Sequence, residues 1–177
     1  MNDALSSDTF DNYIEALDPG RYYFLAADIA EFEGYRYELD NALRRGDLLP
    51  AYHMFNRLQK RLLERTKYMQ RAIDSGLERL DFTTDEVIRI EREKVAWPID
   101  QATQDDLWNR RLKSQVLSMK LNDKELEEIA ETLAKRYRNQ QKVALRNRSE
   151  DAFQTFINAF AATFDPHTCL LYTSDAA

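Results

Sequence analysis

With 177 residues, 44% of them hydrophobic and 32% charged, the chain is long enough for one globular core and too apolar to be disordered. A net charge of −6 opposes a general affinity for nucleic acid. One cysteine excludes an internal disulfide, and the uncharged stretch that ends at Phe164, which begins no earlier than Ala152, is too short to cross a bilayer as a helix.

Four glycines and four prolines leave few turns, so long helices are predicted. The first is predicted to follow Ser7 or Asp8, either of which suits an N-cap, with Phe10, Tyr13, Ile14 and Leu17 as its apolar stripe. Asp18-Pro19-Gly20 ends it, because Pro19 pushes the preceding residue out of the helical region and Gly20 permits a turn. Tyr22, Tyr23 and Phe24 follow, and aromatics beside a tight turn are expected to plug the end of a core. Leu25, Ile29 and Phe32 then share one face of a short helix, and Gly34 and Gly46 bracket another. Residues 49–75 carry the strongest signal, with Pro50 in the first turn, Gly76 as C-cap, and Phe55, Leu58, Leu62, Met69 and Ile73 at three- and four-residue steps. Such a helix is about 39 Å long and is predicted to be the spine of the domain.

Residues 80–98 read differently. Phe82, Val87, Ile88 and Ile90 are β-compatible but interleaved with Glu and Arg, which predicts an extended connector or short strand closed by Trp97-Pro98. Helices are predicted at 102–120 and 123–147. The second has Asn122 as cap, Glu125 completing a capping box, and Leu126, Ile129, Leu133 and Tyr137 on its buried face. Ser149 is predicted to cap a last helix carrying Phe153, Phe156, Ile157 and Phe160, apolar around most of its circumference and expected to be deeply packed. The fold class predicted is all-α: a single domain of about six helices around one long central helix, with one short extended connector.

No catalytic, cofactor-binding or metal-ligating residue is assigned. Cys169 beside His167 resembles a thiol with its base, but both lie beyond the last predicted helix, where no scaffold would hold them. His53, within the long helix, has no second His at a metal-binding offset. The adjacent pairs Asp105-Asp106 and Glu127-Glu128 diverge around their helices and are expected to be solvated. Lys113-Ser114 and Ser118-Met119-Lys120 fall inside a helix, whereas a nucleophilic serine needs a strained turn or helix N-terminus beside oxyanion donors. Two basic runs stand out. Residues 135–148 hold six basic side chains and no acid, and residues 57–71 hold six against Glu64 alone. Because Glu125, Glu127, Glu128 and Glu131 open the helix that the first run closes, the helix dipole accounts for the order, and no nucleic-acid partner is expected.

The string "LDPGRYYFLAADIAEFE" at residues 17–33 resembles the N-terminal region of the tail-specific proteases, bacterial carboxy-terminal processing peptidases. The residues that carry the likeness are Asp18-Pro19, Arg21, Tyr23-Phe24 and Asp28-Ile29. It continues in the same order through "GDLLPAYHMFNRLQKRLLERTKY", "DFTTDE", "REKVAWP", "LWNRRLKSQVLSMKL" and "SEDAFQTFINAFAATFDPHT", covering residues 3–168. The resemblance implies a periplasmic serine endopeptidase that recognises apolar C-termini of substrate proteins through a PDZ domain and cleaves with a Ser-Lys dyad. Both parts come later in the family's order, so none of its catalytic residues transfers here. The resemblance leaves the helical N-terminal domain, which frames the protease and serves as a platform for a lipoprotein adaptor. After Thr168 the sequence "CLLYTSDAA" departs from the family pattern, so residues 1–168 are expected to form the domain and 169–177 a non-native or disordered tail. The start lacks a signal peptide, and Met1 is expected to correspond to an internal position, which leaves location open to the resemblance alone. A stand-alone helical interaction module without enzymatic activity is the alternative reading.

Overall fold

Seven α-helices and a single-turn 3-10 helix account for the regular structure of the computed structural model, which describes residues 3–146 and 149–164. In chain order they are α1 (Asp3–Leu17), α2 (Ala26–Phe32), the 3-10 turn (Glu33–Tyr35), α3 (Leu39–Arg44), α4 (Leu49–Asp74), α5 (Gln101–Lys120), α6 (Leu126–Arg146) and α7 (Ser149–Ala161). No strand occurs among the described residues, so the all-α architecture expected from the periodicity is the one observed.

The spine is α4. Pro50 sits in its first turn, where a missing N–H costs no helical bond, and Gly76 follows its end at φ +93°, a conformation that glycine adopts without strain. Its 26 residues extend about 39 Å and join two separate apolar clusters. In the first, Met54 and Phe55 of α4 meet Phe10, Tyr13 and Ile14 of α1, Phe24, Phe32, Leu39, and Phe156 of α7. Tyr13 stacks edge-on against Phe156 at 5.3 Å and donates its hydroxyl to the Ala51 carbonyl at 3.1 Å. In the second, Met69 and Ile73 of α4 meet Trp108, Leu112 and Val116 of α5 and Ile129, Leu133 and Tyr137 of α6.

The turn after α1 ties the two clusters together. Asp18, 1% exposed, accepts the backbone N–H groups of Tyr22, Tyr23 and Phe24 at 2.9–3.0 Å. Burial pushes its carboxyl above the usual range, and the three N–H groups oppose that shift. The Tyr22 carbonyl then accepts from Trp108 Nε1 at 3.0 Å and from Gln104 Nε2 at 3.1 Å. The aromatic triplet therefore plugs the junction between the two clusters, with Phe24 in the first and Tyr22 and Tyr23 against the second, where the end of a single core was expected.

Three expectations change, and one open alternative is decided. Ser7 and Asp8 do not begin α1, which already runs from Asp3. Polar residues here serve the helix interior: Thr9 bonds back to the Leu5 carbonyl at 2.8 Å, and buried Ser6 accepts the Leu39 N–H at 2.9 Å. Asn122 does not cap α6. Its side chain donates to the Ser118 carbonyl at the end of α5, Asp123 turns through φ +58°, and α6 starts at Leu126. Of the two forms expected for residues 80–98, the connector is the one observed and the strand is not, since Val87 and Ile90 are 76% and 85% exposed and no neighbouring strand among the described residues offers a ladder. This connector is instead pinned to the α1–α2 turn. Arg21 donates to the Val95 carbonyl at 2.6 Å and lies 4.1 Å over the Trp97 ring, while Arg92 donates to the Gly20 carbonyl at 3.1 Å. Finally, α7 is buried along Ala152, Phe156 and Ala159, where α1 and α4 meet it, while Phe153, Ile157 and Phe160 remain half-covered.

Candidate docking surface

The side chains singled out for chemistry are held in structural contacts. Lys113, which would have to serve as base for Ser114, bonds Thr84 Oγ1 at 2.6 Å and the Glu86 carboxylate at 2.8 Å. Lys120, near Ser118, lies 5.0 Å over the Phe82 ring. His53 places Nδ1 3.0 Å from the Tyr35 hydroxyl and Nε2 3.2 Å from Glu31, and stands edge-on to Phe32. Asp105 pairs with Arg65 and Asp106 with Arg110, on diverging directions as expected; Glu128 pairs with Lys124. Cys169 and His167 lie outside the described residues, as does the 168/169 boundary. Among the described residues, no group of three or more His, Cys, Asp or Glu side chains is placed to hold a metal ion, and no helix is long and apolar enough to cross a membrane.

The two basic runs differ in how far they are neutralised. On α4, Arg61 grips Asp28 through Nε at 2.8 Å and Nη2 at 2.9 Å, and Arg57 reaches the same carboxylate and Glu31 at 2.8 Å. Asp28, at the third position of α2, also accepts the Leu25 N–H at 2.9 Å, which closes the start of that helix. Burial pushes the Asp28 carboxyl up, but the Arg61, Leu25 and Arg57 bonds outweigh it and hold the group below its usual range. Arg57, Arg61 and Arg65, three of the six basic residues of this run, are thus held in internal ion pairs. On α6, Lys135, Arg136, Arg138 and Lys142 enter no ion pair with any described residue. Glu131, one turn before Lys135, is exposed and does not bond it.

Three of those cations, Lys135, Arg136 and Arg138, border two grooves along α6. One, of about 670 Å³, runs between α4 and α6 and is lined by Tyr23, Leu62, Thr132, Lys135, Arg136, Asn139, Gln140, Val143 and Ala144. The other, of about 510 Å³, is lined by Lys67, Gln70, Arg71 and Asp74 of α4 and by Arg138 and Gln141 of α6. Val143 is 59% exposed and Leu145 67%, so aliphatic surface lies open beside the charges. Periodicity alone missed this surface, because the cations are visible in the sequence but the lack of counter-ions is set by distant parts of the chain.

The family described as Tail specific protease N-terminal domain matches residues 1–173. This chain belongs to that family. It is 36% identical over 172 residues to the Tail-specific protease of Haemophilus influenzae, an alignment that covers 97% of this chain and 24% of the relative. Its described residues hold helices and connectors but no strand, built on one long helix, and the chain spans about a quarter of that relative's length.

Proposed function

We propose that the chain is the helical scaffold domain of a periplasmic serine endopeptidase that processes or degrades proteins from their C-termini. In this reading the PDZ domain that captures apolar C-termini and the Ser-Lys dyad that cleaves lie outside residues 1–177, and the chain by itself is inert. The observation that carries it is the match over nearly the whole chain to an N-terminal domain, against a relative of which it covers only 24%. The side-chain geometry agrees. Both lysines near a helical serine are committed to other partners, Lys113 to the Glu86 carboxylate and Lys120 to the face of the Phe82 ring. A face of the domain left to a lipoprotein adaptor fits the same scaffold role.

A chimera tests the reading. The matching segment of the Haemophilus influenzae relative is replaced by this chain, and cleavage of an unfolded substrate with an apolar C-terminus is followed. The chimera is expected to cleave, and deletion of the segment to abolish cleavage. A folded chimera that fails to cleave, or a deletion that cleaves normally, would refute a scaffold role.

A further inference from the structure

We propose that the groove between α4 and α6 docks an amphipathic helix of a separate protein, one with an aliphatic stripe and acidic flanks. Its shape and charge point the same way, independently of whether the parent is a protease. Two packed helices leave a trough that a third helix fills, with anchors at three- and four-residue steps. From Thr132 to Val143 the trough follows α6 for about 16 Å, three turns of an occupant. Leu62, Val143 and Ala144 supply an apolar floor, and Lys135 and Arg136 rise along it with no acid of their own. In a chain of net charge −6, a run of unneutralised cations beside open aliphatic surface is a local reversal of sign. Electrostatic complementarity of that kind selects and steers a partner.

A third feature is the side-chain oxygen of Gln140 in the groove wall. It is buried without a donor among the described residues, and an unmatched acceptor is a cost that a donor on an occupant relieves. Nucleic acid would satisfy the cations but leave Val143 and the rest of the aliphatic floor in water. A protein helix covers both.

The test uses the full chain and a fluorescent, end-blocked peptide of about 18 residues, long enough to form a helix, with leucines at i, i+3, i+4 and i+7 and glutamates on both flanks. Binding is read by anisotropy at low and moderate salt, and the bound region is mapped by hydrogen exchange. Saturable binding that protects residues 132–143 is expected, weakening with salt. Lys135→Glu with Arg136→Glu is expected to weaken it about tenfold or more. Val143→Asp is expected to weaken it similarly, and Lys94→Glu, on the exposed connector, to leave it unchanged. Since Lys135 and Arg136 bond nothing internally, the thermal midpoint of that variant is expected to stay at the wild-type value, which separates lost docking from lost folding. The inference is overturned if a glutamine-flanked version of the peptide binds equally well, or if Lys94→Glu weakens binding as much. Single-stranded RNA that binds more tightly than the peptide at the same residues also overturns it, as does a dimer of this chain that occupies them.

Discussion

Asp28 decides what the basic run on α4 becomes. Without that carboxylate, Arg57 and Arg61 would crowd two positive charges against the first core cluster; with it, they clamp α2 to the spine. Because both guanidinium groups are partly exposed, the loss on Asp28→Asn is expected to be about 2 kcal/mol, below the range for fully buried pairs. That corresponds to a fall of about 4–8 °C in the thermal midpoint for a chain of this size. The pH dependence follows from the sign of the shift. A carboxyl whose folded pKa lies below the ordinary 3.8 contributes stability that is complete above that value and disappears as pH falls through the folded pKa. Differential scanning calorimetry is expected to show the wild-type advantage over Asp28→Asn at neutral pH and its progressive loss in strong acid. Gly20 is a second residue with a single tolerated identity. A Cβ there would stand 2.5 Å from the Tyr22 ring, which is held by Trp108 and by the Arg92 and Arg111 guanidinium groups above it. Gly20→Ala is expected to cost about 1–3 kcal/mol by urea denaturation, and a neutral result would mean that the ring moves freely.

At the scale of elements, most of the helices could be read directly. The Phe55, Met69 and Ile73 spacing, Pro50 and Gly76 placed α4 to within a residue, because each signal is local to the helix that it marks. The failures share a physical cause, namely side chains whose partners lie elsewhere. Ser7 and Asp8 look like caps, yet the helix already runs from Asp3 and the Ser7 hydroxyl accepts from Arg36 instead. Asn122 fits a capping box, yet its amide ends the preceding helix. The alternating Val and Ile of the connector mimic a strand, but a strand exists only when another pairs with it. The candidate docking groove was the least legible part, since nothing near Lys135 in the sequence says that Arg57 and Arg61 will be neutralised while it is not. Two caps can be separated by experiment. Asp100 accepts the Thr103 N–H at 2.8 Å at the start of α5, so Asp100→Ala is expected to cost about 1 kcal/mol. Asn122→Ala is expected to speed exchange at the end of α5 while leaving the first turn of α6 unchanged; faster exchange in α6 would restore Asn122 as its cap.

For the whole molecule, two clusters on one helix raise the question of whether they unfold together. The chain carries a natural reporter for each: Trp97 packs against the first cluster and Trp108 is buried in the second. The Asp18 turn, Gln104 and α4 bridge them, so Trp97→Phe and Trp108→Phe variants, each read through the remaining tryptophan, are expected to give fluorescence midpoints that coincide with their own circular-dichroism midpoints. Split transitions within either variant would mean two independent units.

The central claim is that these helices support proteolysis without performing it. The measurement that reaches it most directly is incubation of the purified chain with an unfolded, C-terminally tagged substrate, with products followed by mass spectrometry. No cleavage above the substrate alone is the expected result. Turnover that co-purifies with the chain, is blocked by a serine-directed inhibitor and labels a serine of this sequence would contradict it.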